Sequence, residues 1–181
     1  HAADDKKDDD HDGKPDVLSG HTDAVRCLVA LKDGRLASGS RDKTVRIWDI
    51  SDSPVQSFVL KGHEGYVWKL AELNDGRLAS GSWDKTIRIW DLTGDAAPII
   101  VPHGDAVRGM LALQDGRLAT GGGKDGMINV WNVDSQSCTK ALELASHPKY
   151  VAALAELPGG RLAAGGGDAG RRGEGFHIRI F

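Results

Sequence analysis

Histidine, serine and aspartate recur in this chain at spacings that would suit a base, a nucleophile and an orienting carboxylate. His21, Ser38 and Asp42 form the first set, and Trp48 follows them. Such a trio could cleave an ester or amide if the imidazole took the hydroxyl proton and the carboxylate fixed its tautomer. The same types return as His63, Ser80, Asp84 and Trp90, and again as His103, Thr120, Asp125 and Trp131. The His-to-Asp separations are 21, 21 and 22 residues. Catalysis needs one such constellation, whereas a network that holds a fold together must appear once per structural unit. Buried imidazole, hydroxyl, carboxylate and indole N–H groups each need a partner, and these can satisfy one another in a chain. The quartets are therefore expected to be structural, with no catalytic residue among them.

The elements that must position these quartets are themselves repeated. The run Asp33-Gly34-Arg35-Leu36-Ala37-Ser38-Gly39-Ser40 recurs from Asp75 to Ser82, from Asp115 to Gly121, and in weaker form from Gly159 to Gly165. Each copy leads into an alternating segment, the first being Thr44-Val45-Arg46-Ile47-Trp48-Asp49. Trp48 to Trp90 is 42 residues and Trp90 to Trp131 is 41. A period near forty with a Trp-Asp ending indicates one small four-stranded sheet per repeat. Within the first repeat the spacing predicts strands over Ala24 to Leu31, Leu36 to Gly39, Thr44 to Ile50 and Pro54 to Leu60. The Asp33-Gly34 turn reverses the chain because both residues tolerate positive φ, and the proline marks an outer edge. No helix is predicted in the repeats.

These residues resemble the WD-repeat family of β-propellers. The resemblance rests on a Gly-His pair (Gly20-His21, Gly62-His63), an aspartate in a tight turn about twenty residues later and then a Trp-Asp, and it covers about residues 17–181. It implies an all-β fold of about four blades, each of four antiparallel strands, around a central channel. The repeats are bounded at 17–60, 61–101, 102–144 and 145–181. The family's structural tetrad matches the quartets residue by residue. Repeat four departs from it: Ala164 replaces the hydroxyl, Phe181 replaces tryptophan, and Asp168 stands 13 residues before Phe181 where Asp42 stands 6 before Trp48. That tetrad is not expected to close, and the inserted segment with Arg171-Arg172 reads as a lengthened loop.

Family propellers mostly close with seven blades. Four repeats make an incomplete or open ring with unpaired edges, so the chain reads as a fragment of a longer propeller. The missing blades would come from the same chain or a second copy. Val17-Leu18 could lend a fourth strand to another blade. The absence of methionine before Met110 also points to a natural N-terminus lost by processing or truncation.

Composition narrows the function. The net charge is −3, and residues 1–16 hold seven aspartates against three lysines, a local −4 that leaves the remainder at +1. Residues 1–16 read as an acidic, disordered tail or linker. A near-neutral body argues against nucleic acid, and no apolar run is long enough for a membrane helix. Cys27 and Cys138 lack metal-site spacing and suit buried thiols in a reducing, intracellular setting, cytoplasmic or nuclear. Two motifs are decoys. Gly165-Gly166-Gly167-Asp168-Ala169-Gly170 fits a dinucleotide fingerprint, but an arginine-glycine loop follows where a helix is required. The Asp8–Gly13 run opens like a calcium loop, but Ser19 stands where its bidentate glutamate is needed. No metal and no cofactor are expected.

The resemblance also implies which side chains reach the top face around the channel: Ala24, Arg26 and Arg41; Tyr66, Trp68 and Trp83; Ala106, Arg108 and Lys124; Tyr150, Ala152 and Gly167. Of these, Arg26, Arg41, Tyr66, Trp68, Trp83, Arg108, Lys124 and Tyr150 would form an aromatic and cationic docking surface for an acidic or phosphorylated protein segment. A non-catalytic scaffold or substrate adaptor is the expected function. The alternative is a regulatory sensor domain fused to an enzyme outside this sequence.

Overall fold

The computed structural model describes residues 17–51, 55–93, 96–147, 149–167 and 177–181, which fold as four antiparallel sheets in chain order. The first blade holds β1 (Val25–Ala30), β2 (Leu36–Ser40), β3 (Val45–Asp49) and β4 (Gln56–Leu60). The second holds β5 (Val67–Glu72), β6 (Leu78–Ser82), β7 (Thr86–Trp90) and β8 (Ile99–Pro102). The third holds β9 (Val107–Ala112), β10 (Leu118–Gly122), β11 (Met127–Val133) and β12 (Cys138–Ala145). In the fourth, β13 (Tyr150–Leu157), β14 (Arg161–Gly167) and β15 (His177–Ile180) are the three described strands. Every strand pairs with its sequence neighbour within a blade, and no helix occurs among the described residues. The acidic segment 1–16, Pro54, Asp168 and the Arg171-Arg172 loop lie outside the described residues.

Apolar positions on alternate sides of each sheet pack blade against blade. Leu31, Ala37, Val45 and Ile47 on the front of blade one meet Val67, Leu70, Leu78 and Trp90 on the back of blade two. The same pattern builds the second and third interfaces, where Val107 and then Val151 are fully buried. A polar latch joins the lower turns. Lys32 N–H donates to both Glu72 carboxylate oxygens at 3.1 and 3.0 Å, and Gln114 N–H donates to Glu156 Oε2 at 2.8 Å. Blade three has Ala112 where blades two and four have those glutamates, so Asn74 Nδ2 reaches across to the Leu113 and Gln114 carbonyls instead.

One irregularity positions the upper face. The innermost strands slip in register between Val25 and Cys27, Val67 and Lys69, and Val151 and Ala153, and the ladder skips from Val107 to Gly109. The unpaired residues are Arg26, Trp68, Ala152 and Arg108. A β-bulge leaves its extra residue outside the ladder and re-aims its side chain, so each blade lifts one inner-strand residue toward the rim.

Candidate functional site

In blades one and two the polar quartets form closed relays. Asp42 is an acceptor, so His21 Nδ1 donates to Asp42 Oδ2 at 2.7 Å and, in the neutral ring, Nε2 accepts from Ser38 Oγ at 2.7 Å. Ser38 Oγ in turn accepts from Trp48 Nε1 at 2.8 Å. The second relay repeats these distances through Asp84, His63, Ser80 and Trp90. Thr44 and Thr86 each donate a hydroxyl and an amide to the same carboxylates. Burial works against ionisation of Asp42, but hydrogen bonds from Thr44, His21 and Thr22 outweigh it and hold the carboxyl at about 2. Asp84 is likewise held below the carboxylate range, burial being outweighed by bonds from His63 and Thr86. Both serines are buried and hydrogen-bonded to histidine and tryptophan, so their hydroxyls are placed as relays.

Repeat three differs from its expected quartet. Trp131 Nε1, Thr120 Oγ1 and His103 Nε2 keep the inner part of the relay, at 2.7 and 3.0 Å. Asp125, expected on His103, is exposed and accepts the Met127 N–H at 2.9 Å, while His103 Nδ1 donates to the Asp105 carbonyl at 2.8 Å. The cause is local. Ser40 and Ser82 fix the turn by accepting the Asp42 and Asp84 amides, but Gly122 has no hydroxyl, and Met127 stands where Thr44 and Thr86 lock the carboxylate. The turn is also one residue longer. Asp105 takes over its support, accepting the amides of Lys124 and Asp125. Burial holds the His103 imidazole below its ordinary range. In blade four, His147 Nε2 donates to the His177 carbonyl at 2.7 Å and the Ala164 side chain offers no partner.

The bulged residues and the upper turns converge in one stacked array. Trp83 stacks on Tyr66 at 5.5 Å and on Trp68 at 5.8 Å between ring centroids. Arg26 lies 4.2 Å over Trp68, and Arg41 lies 5.5 Å over Tyr66. Arg108 bridges Trp83 and Tyr150 at 5.9 and 5.5 Å. Each guanidinium thus crosses a blade boundary onto a ring of the neighbouring blade. Lys124, grouped with these residues from the sequence, is exposed and makes no ring contact among the described residues; its backbone N–H is held by Asp105. Trp83 is held by its amide on the Tyr66 carbonyl at 3.0 Å and remains 44% exposed. Gly65 permits this turn, since a methyl there would lie 2.5 Å from the Asp84 nitrogen.

The two ends of the sheets treat arginine differently. Below, Arg35, Arg77 and Arg117 pair with the aspartate two residues earlier, at 2.6, 2.7 and 2.7 Å. Above, Arg26, Arg41 and Arg108 have no carboxylate partner among the described residues, and the Nε atoms of Arg41 and Arg108 are buried without a hydrogen-bond partner. Guanidinium groups laid on aromatic faces are fixed in direction yet keep their charge and N–H donors. Sequence reasoning missed the bulges, the role of Gly65 and the substitution of Asp105 for Asp125. The extra residue in the His103–Asp125 spacing and the loss of Thr and Ser at 127 and 122 were the available signals.

Comparison with known proteins bears on the whole arrangement. The family description "WD domain, G-beta repeat" matches residues 14–49, 53–91 and 97–132. The E3 ubiquitin-protein ligase COP1 of Arabidopsis thaliana is 46% identical over 43 residues, 23% of this chain and 6% of that protein. Mitochondrial division protein 1 of Pyricularia oryzae is 59% identical over 34 residues, 19% of this chain and 5% of that protein. An uncharacterised WD repeat-containing protein of Schizosaccharomyces pombe is 48% identical over 40 residues, 22% of this chain and 11% of its own length. The chain thus matches about a tenth or less of the length of these relatives. A chain in a crystal structure of the mitotic checkpoint complex superposes with a TM-score of 0.72 at 28% identity, covering 81% of this chain and 47% of that one. Family domains of this kind typically mediate protein interactions and are generally non-catalytic. With three matched repeats, four radial sheets and two closed His-Ser-Asp-Trp relays, the chain belongs to the WD-repeat family of β-propellers.

Proposed function

We propose that the upper face is a non-catalytic docking site for an acidic or phosphorylated protein segment. The observation that carries this reading is the contrast between the two ends of the blades: the lower arginines are neutralised by aspartates, and the upper ones are aimed by aromatic rings with no carboxylate partner among the described residues. An anion gains charge-assisted hydrogen bonds from such groups without first displacing an internal partner. The ring faces are already covered by guanidinium, which disfavours a cationic ligand. Trp83 supplies the apolar anchor that a docking surface needs beside its charges. Fixed side chains also lose little freedom on binding.

The test is an array of synthetic peptides in matched acidic, phosphoserine, neutral and basic forms, probed with the purified chain. Retention is expected on acidic and phosphorylated spots and is lost on Trp83→Ala or Arg108→Gln. Equal retention on neutral or basic spots, or retention unchanged in both variants, refutes the proposal.

A further inference from the structure

Two upper positions recur in every blade: the bulged residue of the innermost strand, and the residue before the turn aspartate. Blade one fills both with arginine, Arg26 and Arg41. Blade two fills both with tryptophan, Trp68 and Trp83. Blade three returns to cations, Arg108 and Lys124, and blade four has only small residues there, Ala152 and Gly167. From blade to blade the upper face therefore runs cationic, aromatic, cationic and small.

Side-chain contacts keep this order in space. Arg26 lies 4.2 Å over Trp68 and Arg41 lies 5.5 Å over Tyr66, so both guanidiniums of blade one lean onto blade two. Arg108 reaches Trp83 from blade three, at 5.9 Å. Trp83, stacked on Tyr66 and Trp68, is the exposed ring between these cations. All of these contacts lie at boundaries within the four blades. The steps from Arg26 through Trp68 and Trp83 to Arg108 bound the separation of the two guanidiniums at about 16 Å. Extended backbone advances about 3.3 Å per residue, so ligand groups up to about five residues apart reach both.

The chemistry along this line is not uniform. Arg26, Arg41 and Arg108 carry their charge without a carboxylate partner among the described residues, and Lys124 adds an exposed ammonium on the blade-three side. Carboxylate or phosphate oxygens gain charge-assisted hydrogen bonds at both ends. In the middle the preference reverses, because the face of an indole is the negative end of its quadrupole and repels an anion, whereas its apolar surface rewards a hydrophobic cover. Ala152 and Gly167 offer neither charge nor ring, so a third anion over blade four gains nothing from those positions.

Given the upper face as a docking site, we infer that its ligand is a protein segment with one apolar residue between two anionic ones, the outer pair no more than about five residues apart. The apolar side chain covers Trp83, one anion meets Arg26 and Arg41, and the other meets Arg108 and Lys124. The pattern of charge, and not its total, is what the face reads.

Isothermal titration of the 181-residue chain with synthetic peptides of equal charge tests this. In the first peptide two glutamates flank a leucine at four residues' separation; in the second both stand on one side of it. In the third a rigid proline spacer holds the glutamates well beyond 16 Å, with the leucine midway, and in the fourth serine replaces the leucine of the first. The first peptide is expected to bind roughly tenfold more tightly than each of the others, the worth of one charge-assisted or anchoring contact. Arg26→Gln and Arg108→Gln should each bring it down to the level of the second; Arg26 is exposed, and circular dichroism verifies that both variants fold. Equal affinity for the first two peptides in the unaltered chain overturns the inference while acidic docking stands, as does a preference that both variants retain. Failure of all four to bind overturns both.

Discussion

Replacing Asp84 and Asp125 by alanine, one at a time, separates a carboxylate that braces a blade from one that only occupies the same place in the repeat. Asp84 accepts four hydrogen bonds: from His63 Nδ1 at 2.7 Å, Thr86 Oγ1 at 2.7 Å, and the amides of Glu64 and Thr86 at 2.9 Å each. Its removal leaves the buried Nδ1–H of His63 with only the long 3.4 Å contact to Thr86 Oγ1, while the Glu64 amide can turn to water. A stranded buried donor costs about 1–3 kcal/mol, and bonds to a charged group add to that, so about 3 kcal/mol is expected for Asp84→Ala. Asp125 is exposed and accepts one described amide, that of Met127, which sets Asp125→Ala below about 1 kcal/mol. Urea unfolding followed by tryptophan emission gives both values. In heat, about 3 kcal/mol corresponds to roughly 6–12 °C for a domain of this size. Equal losses for the two variants would refute the claim that the third relay runs without its aspartate.

Other perturbations follow from single features of the fold. Lys43 and Lys85 hold left-handed turns at φ 70° and 67°, where a side chain costs about 1–2 kcal/mol, so Lys43→Gly and Lys85→Gly should each raise the melting temperature. Gly121→Ala should destabilise by about 1–3 kcal/mol through its contact with Val151, which thermal unfolding would register. Asp42, held at about 2 against an ordinary 3.8, contributes stability that is complete above the ordinary value and lost as pH falls toward 2; the Asp42→Asn variant should flatten that part of an acid titration. His103 runs the other way from a stabilised cation: burial keeps it neutral, so stability falls as pH drops below its ordinary 6.5, which NMR titration of its ring would detect. Burial raises the thiols of Cys27 to about 12 and Cys138 to about 11, so both should resist iodoacetamide at neutral pH until the chain unfolds.

The blades and the first two relays could be read from the sequence because they are periodic: identical turns and alternating strands recur, and buried polar groups must repeat with them. Observed strand limits stay within a residue or two of the expected ones, as for β1 and β3. The third relay could not be read by matching letters, since its fate is decided by two missing hydroxyls, at Gly122 and Met127, and by one inserted residue. The upper array was legible as a set of residue types but not as a geometry. A bulge depends on how two strands register, so nothing in Arg26 or Trp68 alone announces that it leaves the ladder. Lys124 shows the converse, a residue in the right turn whose added length carries it away from the rings. The latches of Glu72 and Glu156 were missed because carboxylates among strands read as solvent-facing until the neighbouring blade is in place.

The docking face is tested most directly by its own fluorescence. Trp68 and Trp83 are the partly exposed indoles of the upper face, whereas Trp48, Trp90 and Trp131 are buried. Titration with a synthetic phosphoserine-rich acidic peptide should shift and quench the emission, the response should weaken as sodium chloride is raised, and Trp83→Ala should abolish it. An emission spectrum that ignores the acidic peptide, or that responds equally to a basic one, would contradict the account.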